Sequence, residues 1–193
     1  IWLVWPEAPR PGYARALREM DGYLFSLIAM RRALFSRDND ANKDLLGTLI
    51  ASGMGDDLIR DQLLTMLIAG HDTSTALLAW ALILLAKHGS VQQRICGEMK
   101  SLAADRPPTI AELAQLETLD RTIKETLRLY PPIHLGSRIA ATDIDFQEYR
   151  IPKGGRVIYS IYLSHRNPAY WQEPALFNPD RFAPELVKQR PPY

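Results

Sequence analysis

The sequence predicts a mainly α-helical chain of α+β order, with helices first and a small sheet last. Three observations carry this expectation. Apolar residues recur at helical spacing from about Tyr13 to Leu129. β-rich runs separated by turns begin only at Ser137. Prolines then crowd the final stretch, at Pro168, Pro174, Pro179 and Pro184. No internal repeat or low-complexity tract is present, so we expect one partial domain over residues 1–193: 1–136 mostly helical, 137–193 a small β-sheet and a Pro-rich meander.

The elements follow in order. Pro6, Pro9, Pro11 and Gly12 make an irregular opening. A helix is expected from Tyr13 to Phe35, with Leu17, Leu24, Leu27, Ile28 and Leu34 roughly on one face. The polar stretch Arg37 to Asn42 reads as a loop, and a short helix follows over Lys43 to Ser52. Asp56 or Asp57 can cap a long helix that lasts to Ala86 or Lys87. An amphipathic helix covers Val91 to Leu102 and breaks at Arg106-Pro107-Pro108. Thr109 and Glu112 form a capping box for the next turn. After a break near Leu116, a further helix carries Leu119, Ile123 and Leu127 and ends before Pro131-Pro132. Strands are expected at Arg138-Ile139-Ala140, Ile144 to Phe146, and Arg156 to Leu163 after the turn Lys153-Gly154-Gly155.

Composition narrows the class. A chain of 193 residues, 47% apolar and 23% charged, is ordinary for a soluble domain with a real core. A net charge of +1 gives no electrostatic support for a nucleic-acid partner. The single cysteine, Cys96, excludes an internal disulfide framework and a cysteine-rich metal site. The apolar run Ile1 to Trp5 stops at Pro6, too short for a signal core or a membrane span, and reads as an internal start.

The long helix invites a membrane reading, because about 30 residues span roughly 45 Å. His71, Asp72, Thr73, Ser74 and Thr75 interrupt it at its centre, and an acid at a bilayer centre costs about 2.5–3.5 kcal/mol. A helix apolar all round and buried through a soluble domain suits the pattern better. Its polar break has two readings. It is a tolerated polar patch, or it is a groove for proton delivery. In the second, Gly70 lets a flat group approach the backbone and the Thr73 hydroxyl replaces a helix bond at Ala69. Asp72 beside it supplies an acid.

Two further patterns complete the set. Glu125 and Arg128 lie three apart on one helix face. Later comes the frame His165-Arg166-x-Pro168-x-x-Trp171-x-x-Pro174-x-x-Phe177-x-Pro179-x-Arg181-Phe182. Together with Ala69-Gly70-His71-Asp72-Thr73-Ser74, in this order, they resemble the cytochrome P-450 family of haem-thiolate monooxygenases. The resemblance runs from about Asp44 to Arg190 and implies part of a P-450-like helical core with a long central helix.

The resemblance implies the following roles. Asp72 and Thr73 are catalytic, with Thr73 bonding dioxygen and relaying protons with Asp72. Ala69 and Gly70 line the distal side of haem b, and Arg138 holds a haem propionate, unless it is simply a solvated strand charge. Glu125, Arg128 and Arg181 form a buried structural triad. Pro132, Ile133, His134, Leu135 and Gly136 border the substrate pocket. His165 is expected to be a satisfied structural histidine. The whole enzyme takes electrons ultimately from NAD(P)H through a ferredoxin or flavoprotein reductase. With O2 as co-substrate, it inserts one oxygen atom into an apolar organic molecule.

One part of the family pattern fails. The axial cysteine is expected in a Gly-rich loop that would begin near Pro191-Pro192-Tyr193. Cys96 lies on an amphipathic helix without that frame, and is expected to be a small buried apolar residue, not a ligand. Hence no iron-ligating residue is expected here, and the chain by itself is expected to be inactive. The alternatives are a non-catalytic remnant that binds a partner, and a helical membrane protein. A cytoplasmic location is expected, with an N-terminal anchor of the parent left open.

Overall fold

The computed structural model describes residues 12–34, 44–102 and 105–189. The expectations for Pro6, Pro9 and Pro11, for the loop 37–42 and for the last residues lie outside these. The chain divides into two compact units, Ile1–His71 and Asp72–Tyr193.

The first unit holds α1 (Tyr13–Ala33), α2 (Leu45–Ala51) and the first half of α3 (Asp56–Lys87). Asp44 starts α2 by accepting the Gly47 N–H at 2.8 Å, and it also receives Arg31 Nη1 at 2.8 Å. These bonds, the Gly47 amide first, hold its carboxyl below the usual range. Ile28, Leu46, Ile50 and Ile59 form the core, with Phe25, Leu27, Leu49, Met54 and Leu63 against it. Arg32 fixes the turn into α3, donating to Asp56 at 2.7 Å and to the Met54 carbonyl at 2.6 Å. Arg60 pairs with Asp21. Leu34, expected on the inner face of α1, is instead its exposed C-cap.

α3 is a 32-residue helix, as its pattern predicts, but its expected burial is not found. Met66, Leu67, Ile68, Leu78 and Leu82 are 54–61% exposed, while Ile59 and Leu84 are buried. A helix apolar all round is covered only where neighbours surround it. Among the described residues its buried positions, Ile59 and Leu84, lie toward its two ends. By length and composition α3 is long and apolar enough to cross a membrane.

The second unit continues through α4 (Gly89–Met99), α5 (Ile110–Leu113) and α6 (Glu117–Leu129). The Glu98 carboxylate on α4 caps α6 from outside, accepting Thr118 N–H at 2.8 Å and its hydroxyl at 2.5 Å. The Thr109–Glu112 capping box forms as expected at α5. Cys96 departs from expectation: it is exposed on α4, because Val91 and Ile95 take the buried face. The face of α6 is also reversed. Leu119 and Leu127 are half-buried and Ile123 is exposed, whereas Thr118, Thr122, Glu125, Thr126 and Arg128 are buried.

Two separate antiparallel pairs follow. β1 (Leu135–Ile139) pairs with β4 (Arg156–Ser160), setting Leu135 opposite Ser160 and Ile139 opposite Arg156. β2 (Ile144–Phe146) pairs with β3 (Tyr149–Ile151). β1 begins earlier than its sequence suggested, and the run to Leu163 is split. After Ser160 the chain turns into α7 (Ile161–Ser164), which the Ser160 hydroxyl caps by accepting Leu163 N–H at 3.2 Å. The Pro-rich end is not wholly irregular. It contains a 3-10 turn (Pro179–Phe182) and α8 (Pro184–Val187), each with proline in its first turn, where no N–H is needed.

Candidate active site

The buried polar face of α6 has a purpose. Glu125 and Arg128 are 0% and 1% exposed and meet in a two-pronged pair, Nε to Oε2 at 2.7 Å and Nη2 to Oε1 at 2.8 Å. Arg181 adds its Nε to Glu125 Oε1 at 3.0 Å, and the Asn178 N–H donates to the same oxygen at 2.9 Å. The spare guanidinium hydrogens go to main-chain carbonyls. Arg128 serves His165 and Pro174 at 2.8 Å each and Leu176 at 3.1 Å. Arg181 serves Gln172 at 2.9 Å, with Glu173 and Leu176 at 3.3 Å. A Pro-rich segment has no ladder to satisfy its carbonyls, so the two arginines supply the donors. Trp171, buried, lies with its ring centroid 5.1 Å from the Arg128 guanidinium.

Beside this cluster is a largely apolar cavity of about 400 Å³. Thr73, Ser74 and Leu77 of α3 line it with Leu127, Pro131, Pro132, Ile133 and His165. Thr73 and Leu77 are four apart, so both point to one face of α3. His165, as its Nδ1–H tautomer, donates to the Arg128 carbonyl at 3.2 Å. Burial is the main cause that lowers its pKa; the bond to the Arg128 carbonyl opposes it, and the charges of Arg128 and Arg166 add to it. A second surface cleft of about 450 Å³ lies along α5, α6 and α8. Four of its charges are paired, Arg121 with Glu117 at 2.5 Å and Lys124 with Asp120 at 2.6 Å.

The remaining expected residues are dispersed. Ala69 and Gly70 lie on α3 within one turn before Thr73, and apart from the neighbouring helix backbone no atom stands within 4 Å of where a Gly70 side chain would begin. Asp72 is exposed on the same helix. Of the expected pocket border, Pro132 and Ile133 line the cavity. The His134 carbonyl accepts the Tyr162 N–H at 3.3 Å, and Leu135 and Gly136 belong to β1. Arg138 is exposed on β1, donating to the Ser137 carbonyl at 2.9 Å with its guanidinium 5.8 Å from the Tyr159 ring. Among the described residues no group of His, Cys, Asp and Glu is placed to hold a metal. Sequence alone does not assign Ser74, Leu77, Leu127 and Pro131 to the pocket. Helical spacing from Thr73 could have found Leu77.

A long central helix, a buried Glu-x-x-Arg cluster closed by a second arginine, and a small antiparallel sheet define one fold class. Residues 1–193 match the family model described as Cytochrome P450, and the chain belongs to that family. Haem-iron binding and monooxygenase chemistry are properties of the family as a whole. Among curated proteins, the chain is 39% identical to Cytochrome P450 4F3 of Homo sapiens over 82% of its length. It is 32% identical to Cytochrome P450 4c21 of Blattella germanica over 94%. It spans 29% and 40% of those two relatives. Among solved structures it resembles a retinoic acid bound cyanobacterial CYP120A1, with TM-score 0.82 and 30% identity. That match covers 94% of this chain and 42% of the other. A cytochrome P450DA heme domain matches at TM-score 0.83 and 31% identity, over 93% and 41%. The described residues therefore form a portion of the P450 fold.

Proposed function

We propose that these residues form the distal wall and structural core of a P450 monooxygenase that inserts one oxygen atom from O2 into an apolar organic substrate. The observation that carries the reading is Thr73 in the wall of a largely apolar cavity. The described residues suit the face of a flat, anionic macrocycle. Gly70 leaves the α3 backbone open, and Arg138 offers an exposed cation for a propionate. Ala69, Gly70 and Arg138 would hold haem b. When bound, the haem would supply the oxidising chemistry.

The chain's own residues do the rest. Thr73 and Asp72 hold and pass protons at the distal face. Leu77, Leu127, Pro132 and Ile133 exclude water and seat an apolar substrate. Electrons reach the enzyme from NAD(P)H through a ferredoxin or flavoprotein reductase. We read 1–193 as one partial domain of a cytoplasmic enzyme. Without a partner thiolate, the chain alone would bind no thiolate-ligated haem. The decisive variant is Thr73→Ala in the complete enzyme. Haem and substrate binding should persist, while productive turnover falls by about 10²-fold or more and reducing equivalents appear as peroxide. Equal product per NAD(P)H in variant and parent overturns the assignment.

A further inference from the structure

Arg181 can reach Glu125 only while the 3-10 turn Pro179–Phe182 stands against α6. Two sets of bonds hold that turn. On the inner side, Asn178 N–H and Arg181 Nε converge on Glu125 Oε1 at 2.9 and 3.0 Å. On the outer side, Arg94 of α4 grips Asp180 with both prongs, Nη1 to Oδ2 at 2.9 Å and Nη2 to Oδ1 at 2.7 Å. Arg121 of α6 stands 3.9 Å from Asp180 Oδ1. The Arg94 bond, first among the causes, keeps the Asp180 carboxyl below its usual range. The Asn178 side chain fixes the start of the turn by accepting Asp180 N–H at 3.1 Å.

Asp180 and Arg181 are consecutive in a 3-10 turn, so their side chains diverge by about 120°. Anchoring the first outward sets the second inward. The fork-to-carboxylate fit constrains orientation as well as distance, which a single-point contact does not. Two other exposed pairs differ in kind. Arg15–Glu19 and Lys124–Asp120 join neighbours on one helix and position nothing beyond it.

We propose that Arg94 is a positioning residue which, through Asp180, fixes the turn that presents Arg181 to Glu125. It touches neither substrate nor reacting atoms. Arg94 and Asp180 are 43% and 51% exposed, so the bare pair is screened. Its importance lies in coupling to a buried cluster.

The test is a double-mutant cycle in the full-length protein, with thermal melts of the parent, Arg94→Met, Arg181→Lys and the combination. Arg94→Met should lower the melting temperature by about 2–4 °C. Most of that loss should vanish when Arg181 is already lysine, and Arg94→Lys should fall between parent and Arg94→Met. The same loss in both backgrounds makes Arg94–Asp180 a merely local pair and overturns the proposal, as does no loss at all. Amide exchange at Asn178, whose N–H bonds Glu125, reads position directly and needs no second substitution. It should quicken about tenfold or more in Arg94→Met while exchange in the Ile110–Leu113 helix stays fixed. Unchanged exchange at Asn178 also overturns it.

Discussion

Replacing Arg128 by leucine tests the structural centre of the molecule. Leucine fills much of the space but carries no donor. The change removes two bonds to Glu125 and leaves the carbonyls of His165, Pro174 and Leu176 without this partner. Breaking one side of a buried pair costs about 3–5 kcal/mol, because the remaining charge stays in the interior. Each buried carbonyl left unmet costs about 1–3 kcal/mol if nothing relaxes. These losses overlap, since one side chain makes all the bonds. Glu125 also retains Arg181 and the Asn178 amide, so about 4 kcal/mol is a fair figure. Domains are stable by about 5–15 kcal/mol, so much of the margin goes. The melting temperature should fall by about 10 °C.

The assay is soluble yield, haem content and thermal melting of the full-length protein. Lys124→Leu is the control. Lys124 bonds Asp120 at 2.6 Å, but both side chains are half-exposed and belong to one helix. Such a pair is worth about 0.3–0.5 kcal/mol. Arg128→Lys should behave more like the leucine variant than the parent, because one ammonium cannot span Glu125 and three carbonyls. If Arg128→Leu melts within a degree or two of the parent, the buried cluster does not hold the fold and this reasoning fails.

Further outcomes follow from the site and its surroundings. Haemin added to the chain alone, then reduced and treated with carbon monoxide, should give no red-shifted Soret band of a thiolate complex. A band abolished by Cys96→Ser would show that the exposed Cys96 is a ligand after all. Glu112 is held down to about 2 by Arg106 first and Thr109 second, from an ordinary 4.5. Its contribution to the α5 cap is therefore present above about pH 4.5 and lost as pH falls through about 2, and Arg106→Met should raise its NMR titration midpoint. Gly136→Ala should loosen the β1–β4 pair, since a new methyl meets the Tyr159 ring across the strands. Adding Tyr159→Ala should recover protection of the strand amides.

What the sequence disclosed depended on whether the signal was local. The ends of α3, the Thr109–Glu112 box and β2 were legible because caps, turns and periodicity act within a few residues. β3 was not, because its turn carries Gln147 at φ 53° where glycine or asparagine would have marked it. Apolar spacing misdirected the reading of α6. Leu119, Ile123 and Leu127 form a regular stripe, yet the deeper face is built from threonines and a charge pair. No hydropathy pattern encodes that inversion. It depends on Arg181 and the carbonyls of Gln172 to Leu176, some 50 residues further along the chain. Cys96 misled for a related reason: cysteine's usual burial is a preference, and Val91 and Ile95 had already claimed the inner face of α4.

α6 also explains why cluster and cavity cannot be treated separately. Leu127 forms part of the cavity wall, between Glu125 and Arg128 of the cluster. The Arg128 carbonyl receives the His165 ring, which lines the same cavity, and the Arg128 guanidinium holds the His165 carbonyl. A single residue thus fixes His165 from two directions, by its main chain and by its side chain. Any change that lets Arg128 shift must move a residue of the cavity wall that Thr73 also lines. Buried charge is poor value as stability alone, since well-packed apolar residues do as well or better. Here it also sets the geometry of a wall that apolar packing would define only loosely. That second role accounts for two arginines and a glutamate where the helix pattern would have accepted leucine.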